Sequence, residues 1–166
     1  AYQIPEDEPA WQIYKDKPWK SKDAKVAAAM DTMMDRQVGE ITALLKKLGI
    51  YENTLMFFTS DNGAAKRFDG IHNSCGVMQG HKRSLNEGGI RVPMVVRWPG
   101  KIKPSTVSDH PWYFPDVMPT LAEIAGVSKE VPKDIDGISV LPTLLGKGEQ
   151  KQHEYMYWQY GVRAAR

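Results

Sequence analysis

The tetrapeptide Ser60-Asp61-Asn62-Gly63 sets a carboxylate beside a carboxamide directly after a short apolar run, Thr54-Leu55-Met56-Phe57-Phe58-Thr59. In open α/β sheets ligands gather outside the carboxyl ends of the strands, so oxygens at such a point are placed to meet one. Carboxylate and amide oxygens suit calcium or magnesium rather than zinc. Asp-Asn-Gly is equally a common turn, in which the side chains bond their own backbone, and spacing alone leaves both readings open. A second segment, Gly80-His81-Lys82-Arg83-Ser84-Leu85-Asn86-Glu87-Gly88-Gly89-Ile90-Arg91-Val92-Pro93, groups basic side chains ahead of paired glycines. Ammonium and guanidinium groups there can hold a sulfate or phosphate oxyanion; a solvated basic loop is the alternative. The Gly-x-x-x-x-Gly-Lys-Ser/Thr spacing of a nucleotide-binding loop is absent.

These residues need a scaffold. The stretch 60–90 is rich in Gly, Asn and Ser and has no hydrophobic period, and a loop of that length in a compact domain is usually functional. The run before it reads as a strand buried on both faces, which implies a parallel sheet. Val92 to Trp98, ending at Pro99-Gly100, reads as a second strand. Upstream, Ser21 is a candidate N-cap, and Val26, Met30, Met34, Val38, Ile41, Leu45 and Leu48 recur at helical steps up to Gly49. One amphipathic helix of about 40 Å is expected, with Met30, Met33 and Met34 as core filler. Residues 1–20 carry prolines and aromatics without a period and read as an extended, irregular lead-in. Residues 113–126 read as a helix with Val117, Leu121 and Ile124 on one face and Gly126 as its stop, and Ile138 to Leu145 as a shorter one. Tyr155 to Tyr160 reads as a strand that opens a new sheet.

Composition narrows the class. The 166 residues are 42% hydrophobic and 25% charged, which excludes disorder and collagen and suits one domain, or one domain with a fragment of a second. A net charge of +2 with interspersed signs does not favour nucleic acid as a partner. No apolar stretch approaches the roughly 20 residues of a membrane helix. The single Cys75 excludes an intrachain disulfide. The chain opens at Ala1 rather than Met, so a processed or cut start is expected, with any targeting segment lost.

Several separated motifs in one order resemble the sulfatase family: Met34-Asp35-Arg36-Gln37-Val38-Gly39, Asn53-Thr54-Leu55, Phe58 to Gly63, and Gly80 with Lys82 leading to Glu87-Gly88-Gly89-Ile90-Arg91-Val92-Pro93. Trp98-Pro99-Gly100, Pro119-Thr120-Leu121 and Asp136-Gly137 then follow. The resemblance implies an α/β fold, part of an alkaline-phosphatase-like α/β/α sandwich, over residues 1–150. It also implies the start of a smaller C-terminal subdomain over 151–166. It implies Asp61 and Asn62 as calcium ligands and Lys82 as the sulfate contact. His72 and His81 lack partners at metal spacing and read as polar loop histidines, placed where a substrate could pass. Asp109, His110 and Asp116 are expected in structural or capping roles.

Family members use a formylglycine made from Cys or Ser in a Cys/Ser-x-Pro-x-Arg motif, with further aspartates near their N-terminus. Cys75, followed by Gly76-Val77-Met78-Gln79, does not fit and is expected to be a small loop thiol. The nucleophile and two calcium ligands are therefore expected upstream, and the chain is expected to be a C-terminal portion that is inactive alone. Its parent would hydrolyse sulfate esters of small molecules or glycans in a periplasmic, secreted or lysosomal setting. The alternatives are a phosphate- or phosphonate-ester hydrolase of the same superfamily, or a non-catalytic module that binds anionic glycans.

Overall fold

The computed structural model describes residues 3–68 and 70–166. Ala1 and Tyr2 of the lead-in, and Asp69 of the central loop, lie outside the described residues. The chain forms two compact units, residues 1–54 with 60–93, and residues 55–59 with 94–166.

In the first unit the lead-in is not extended throughout, because Pro9–Tyr14 forms helix α1. The Glu8 carboxylate accepts the Ala10 amide at 3.2 Å, and Pro9 occupies the first turn, where a missing N–H costs nothing. Six residues are too few to show a helical period, so only the Glu-Pro start signal was legible. Helix α2, Lys22–Lys47, is capped by Ser21, whose hydroxyl accepts the Ala24 amide at 3.2 Å. Its 26 residues span about 39 Å. Asp23 in the first turn and Lys46 and Lys47 in the last complement its dipole.

Helix α1 packs on α2. Ala10, Ala24, Val26 and Ala29 are buried, and Tyr14 Oη meets Thr32 Oγ1 at 2.9 Å. Of the expected stripe only Val26 is fully buried, Met30, Val38 and Leu45 are half-buried, and Met34, Ile41 and Leu48 are 42%, 51% and 59% exposed, so Met34 is not the core filler expected. Glu87–Ile90 forms α3, a single turn that carries the buried Gly88 and Gly89.

In the second unit β1, Met56–Thr59, pairs with β2, Met94–Arg97. The pairing is antiparallel, with Met56 opposite Arg97 and Thr59 opposite Met94, which corrects the expected parallel sheet. Nor is β1 buried on both faces, since Phe58 is exposed. A continuous apolar run reports side-chain type, not which neighbour covers each face, and it carries no strand direction.

The centre of this unit is polar. A 3-10 turn, Phe114–Asp116, leads into α4, Val117–Ile124. The Asp116 carboxylate accepts the Tyr113 amide at 3.0 Å, the Ile138 amide at 2.8 Å, and the His153 Nε2–H at 2.9 Å. Asp116 and His153 side chains are 0% and 8% exposed. Thr120 donates to the Asp116 carbonyl at 2.6 Å and accepts the Val140 amide at 2.9 Å. The buried face of α4 is thus that of Thr120, while Leu121, expected inside, is 43% exposed.

Helix α5 covers Leu141–Leu145, shorter than the expected Ile138 to Leu145, with left-handed Gly146 as its cap, and the Ile138 and Val140 amides ahead of it are taken by Asp116 and Thr120. Gly126 ends the α4 region at φ +74, as expected. The final hairpin, β3 Tyr157–Tyr160 and β4 Val162–Ala165, is a separate antiparallel sheet that turns at Gly161. Among the described residues no helix is long and apolar enough to cross a membrane.

Candidate functional site

Both chemically suggestive segments lie in the first unit, and backbone hydrogen bonds bring them together. The Gly63 amide donates to the Gly89 carbonyl at 2.9 Å, the Lys82 amide to the Ala64 carbonyl at 2.8 Å, and the Gly88 amide to the Gln79 carbonyl at 2.8 Å. Three stretches of chain, 63–64, 79–82 and 88–89, are therefore stitched backbone to backbone.

Glycine makes this approach possible. A Cβ at Gly63 would strike the Gly88 carbonyl, one at Gly88 the Gly80 carbonyl, and one at Gly89 the carbonyls of Ser84 and His81. Cys75 lies against the same junction, its half-buried thiol donating to the Gly88 carbonyl at 3.5 Å, which fits the expected loop thiol.

The Asp-Asn turn is held by groups other than its own carboxylate and carboxamide. Ser60 Oγ donates to the Asn62 carbonyl at 3.0 Å, and Gly63 is fixed through Gly89. Neither the Asp61 carboxylate, which is exposed, nor the Asn62 carboxamide bonds the protein among the described residues. Both side-chain oxygen sets are thus unpaired among the described residues. Their hardness fits calcium, and they are two donors toward the 6–8 oxygens this cation takes. Among the described residues no cluster of three or more His, Cys, Asp or Glu side chains could hold a metal.

Lys82 sits in a tight turn, where the Ser84 amide donates to the His81 carbonyl at 2.9 Å and His81 Nδ1–H donates to the Lys82 carbonyl at 3.0 Å. Lys82 and Arg83 are exposed and form no ion pair among the described residues, while Glu87 is paired with Arg91 at 3.4 Å. His72 is engaged elsewhere in the unit. Its Nε2–H donates to the Ala24 carbonyl at 3.0 Å, and its ring stands edge-on to Trp19 with centroids 5.0 Å apart. Burial pushes the Asp31 carboxyl up, with the nearby His72 opposing.

Sequence reasoning picked out Asp61, Asn62 and Lys82 but missed what joins them. The single glycines at 63 and 80 and the Gly88-Gly89 pair were the available signal. The Ala64 carbonyl left none, because any residue supplies one. Asp116 has the capping role expected of it; its partner His153 was not foreseen.

The sulfatase family model matches residues 6–127. Rat (Rattus norvegicus) steryl-sulfatase is 41% identical over 132 residues, covering 75% of this chain and 22% of that protein. An uncharacterized sulfatase of Escherichia coli (strain K12), YdeN, is 36% identical over 161 residues, covering 95% of the chain and 28% of the relative. The chain thus spans 22% to 28% of the length of these relatives. Among solved structures, Ps i-CgsB superposes with a TM-score of 0.83 at 32% identity, over 100% of this chain and 36% of the other. A phosphonate monoester hydrolase from Silicibacter pomeroyi superposes with a TM-score of 0.62 at 27% identity, over 80% of this chain and 24% of that one.

Proposed function

The chain belongs to the sulfatase family and has its α/β, alkaline-phosphatase-like fold, and from that premise we propose that the intact protein is a sulfuric ester hydrolase whose anion-binding half is built from Asp61, Asn62 and Lys82. The observation that carries this reading is the backbone junction of Gly63 with Gly89 and of Ala64 with Lys82. That junction supports the reading because the segments carrying Asp61, Asn62 and Lys82, whose side chains have no partner among the described residues, are joined backbone to backbone.

Cleavage of a sulfate ester builds negative charge on the sulfuryl and leaving oxygens. A fixed cation stabilises that charge without reorganising as it forms. Lys82 supplies such a charge from a backbone held at its amide by Ala64 and at its carbonyl by His81. Asp61 and Asn62 would hold calcium, which when bound supplies Lewis-acid stabilisation of the same charge. His81, bonded to the Lys82 carbonyl, would border a sulfate held by Lys82, and His72, engaged with the Ala24 carbonyl, would be the weaker substrate contact.

Residues 1–150 are read as part of the catalytic domain, and the separate hairpin sheet as the opening of a smaller subdomain. The substrate class is a sulfated small molecule or glycan. One neighbouring structure, with a TM-score of 0.67, was solved with D-glucosamine-2-N,6-O-disulfate, which supports a glycan.

The test is Asp61→Ala in the full-length protein, assayed on an aryl sulfate and, in parallel, on an aryl phosphonate. Loss of sulfate release with wild-type folding is expected. Activity within about threefold of wild type, or faster turnover of the phosphonate by the unmutated protein, overturns the reading.

A further inference from the structure

We propose that Arg83 is a specificity-determining residue that binds a second oxyanion on the substrate, beside the sulfate held by Lys82; the proposal rests on the sulfatase reading above. The turn His81-Lys82-Arg83-Ser84 closes through the Ser84 amide on the His81 carbonyl at 2.9 Å, with Arg83 at φ +75. Lys82 is not among the positive-φ residues, so the pattern is that of a type II turn, whose third position calls for glycine. An arginine in the left-handed region bears a steric cost that glycine would not.

The surroundings impose this conformation. The Lys82 amide is held by Ala64, the Lys82 carbonyl by His81 Nδ1, and Gly89 packs so closely under the turn that a Cβ there would strike the His81 and Ser84 carbonyls. A non-glycine residue kept under strain points to a use for its side chain. Among the described residues that side chain has no partner through which to stabilise the fold. Arg83 is exposed and forms no hydrogen bond or ion pair among the described residues. Nearby Glu87 is paired with Arg91.

The chemistry then selects the ligand class. A planar guanidinium takes an oxyanion through two parallel N–H bonds, while the neighbouring ammonium acts as a point charge. Adjacent Cα atoms lie about 3.8 Å apart, and both long side chains are exposed, so the two cations can meet two anionic groups carried on one molecule.

The test uses probes with one or two anionic groups, titrated calorimetrically into the full-length protein. These are methanesulfonate, 1,2-ethanedisulfonate and 3-sulfopropanoate, the last separating a second sulfonate from a carboxylate. Wild type should bind at least one dianionic probe about tenfold more tightly than methanesulfonate. Arg83→Gly should erase that gap, Arg83→Lys should restore part of it, and methanesulfonate binding should stay within about twofold. Because glycine suits the turn, the melting temperature of Arg83→Gly should hold or rise.

No gap in wild type, a gap that survives Arg83→Gly, or a fall in melting temperature beyond about 5 °C overturns the proposal. Turnover of 4-nitrophenyl sulfate, followed separately, reports on the sulfatase reading. A protein silent in turnover but showing Arg83-dependent binding would fail there and not here.

Discussion

The amide of Lys82 and the carbonyl of Ala64 are joined at 2.8 Å, which ties the cation-bearing loop to the segment that carries Asp61 and Asn62. Both partners are main-chain atoms, so the tie survives any substitution of the Lys82 side chain that leaves the backbone in place. Charge and scaffold can therefore be separated by experiment.

Lys82→Ala should cost about 2–4 kcal/mol of transition-state stabilisation, the range for removing one well-placed electrostatic donor. The melting temperature should stay within about 2 °C, since the exposed ammonium has no protein partner among the described residues. Steady-state kcat/KM on an aryl sulfate and a thermal melt provide the check. An unchanged kcat/KM alongside a severe His81→Ala defect would show that the loop residues have been assigned the wrong roles.

Gly63→Ala and Gly39→Ala should move stability in opposite directions. At Gly63 the new methyl meets the Gly88 carbonyl and the Gly89 Cα, backbone atoms that cannot swing aside. Overpacking of this kind costs about 1–3 kcal/mol. At Gly39, within α2, nothing lies within 4 Å, and removing a helix-interior glycine gains roughly 0.5–1 kcal/mol. Chemical denaturation of both variants would measure the contrast, and equal destabilisation would contradict it.

Asp116→Ala should be among the most damaging single changes in the second unit. It leaves the Tyr113 and Ile138 amides and the His153 ring without their shared acceptor in a buried setting. Leaving a buried donor without its acceptor costs about 1–3 kcal/mol for each such group. Amide exchange should quicken at 138 and through β3 and β4, which follow His153 in the chain. Unaltered protection there would show that the pair does not anchor this region.

Docking of α1 on α2 should weaken in acid. Hydrogen bonds from the Arg36 guanidinium at 2.6 and 3.1 Å, helped by the Ala10 amide, hold the Glu8 carboxyl below its ordinary value of 4.5. A carboxyl lowered by folding stabilises the fold at any pH above its unfolded value, and that contribution is lost as pH falls from 4.5 through the lowered native value. Trp11 fluorescence, followed from pH 6 to about pH 2, should report the loss. Arg36→Ala should flatten that part of the profile.

Burial holds the Tyr113 phenol above its ordinary value of 10.0, with Asp136 and then Asp116 adding to the shift. An acid raised by folding contributes stability that is present below its unfolded value and lost as pH rises through the native one. Tyr113→Phe should therefore remove part of the alkaline sensitivity of the second unit, measured as the melting temperature between pH 8 and about pH 11. An identical alkaline slope in the variant would place that sensitivity elsewhere.

Local chemistry was legible in the chain itself. Ser21 caps α2 because a hydroxyl ahead of a periodic apolar stripe satisfies a free amide. Gly126 and Gly146 end α4 and α5 because glycine takes positive φ freely. Asp61, Asn62 and Lys82 stood out by type and order alone. Only the tertiary structure decided that β1 meets β2 antiparallel, that Leu121 faces out while Thr120 faces in, and that Gly63 meets Gly89. Strand direction, the covered face of a helix and contacts between distant glycines depend on which segments share space. A carbonyl oxygen or an absent Cβ acts through position, and residue type does not encode position.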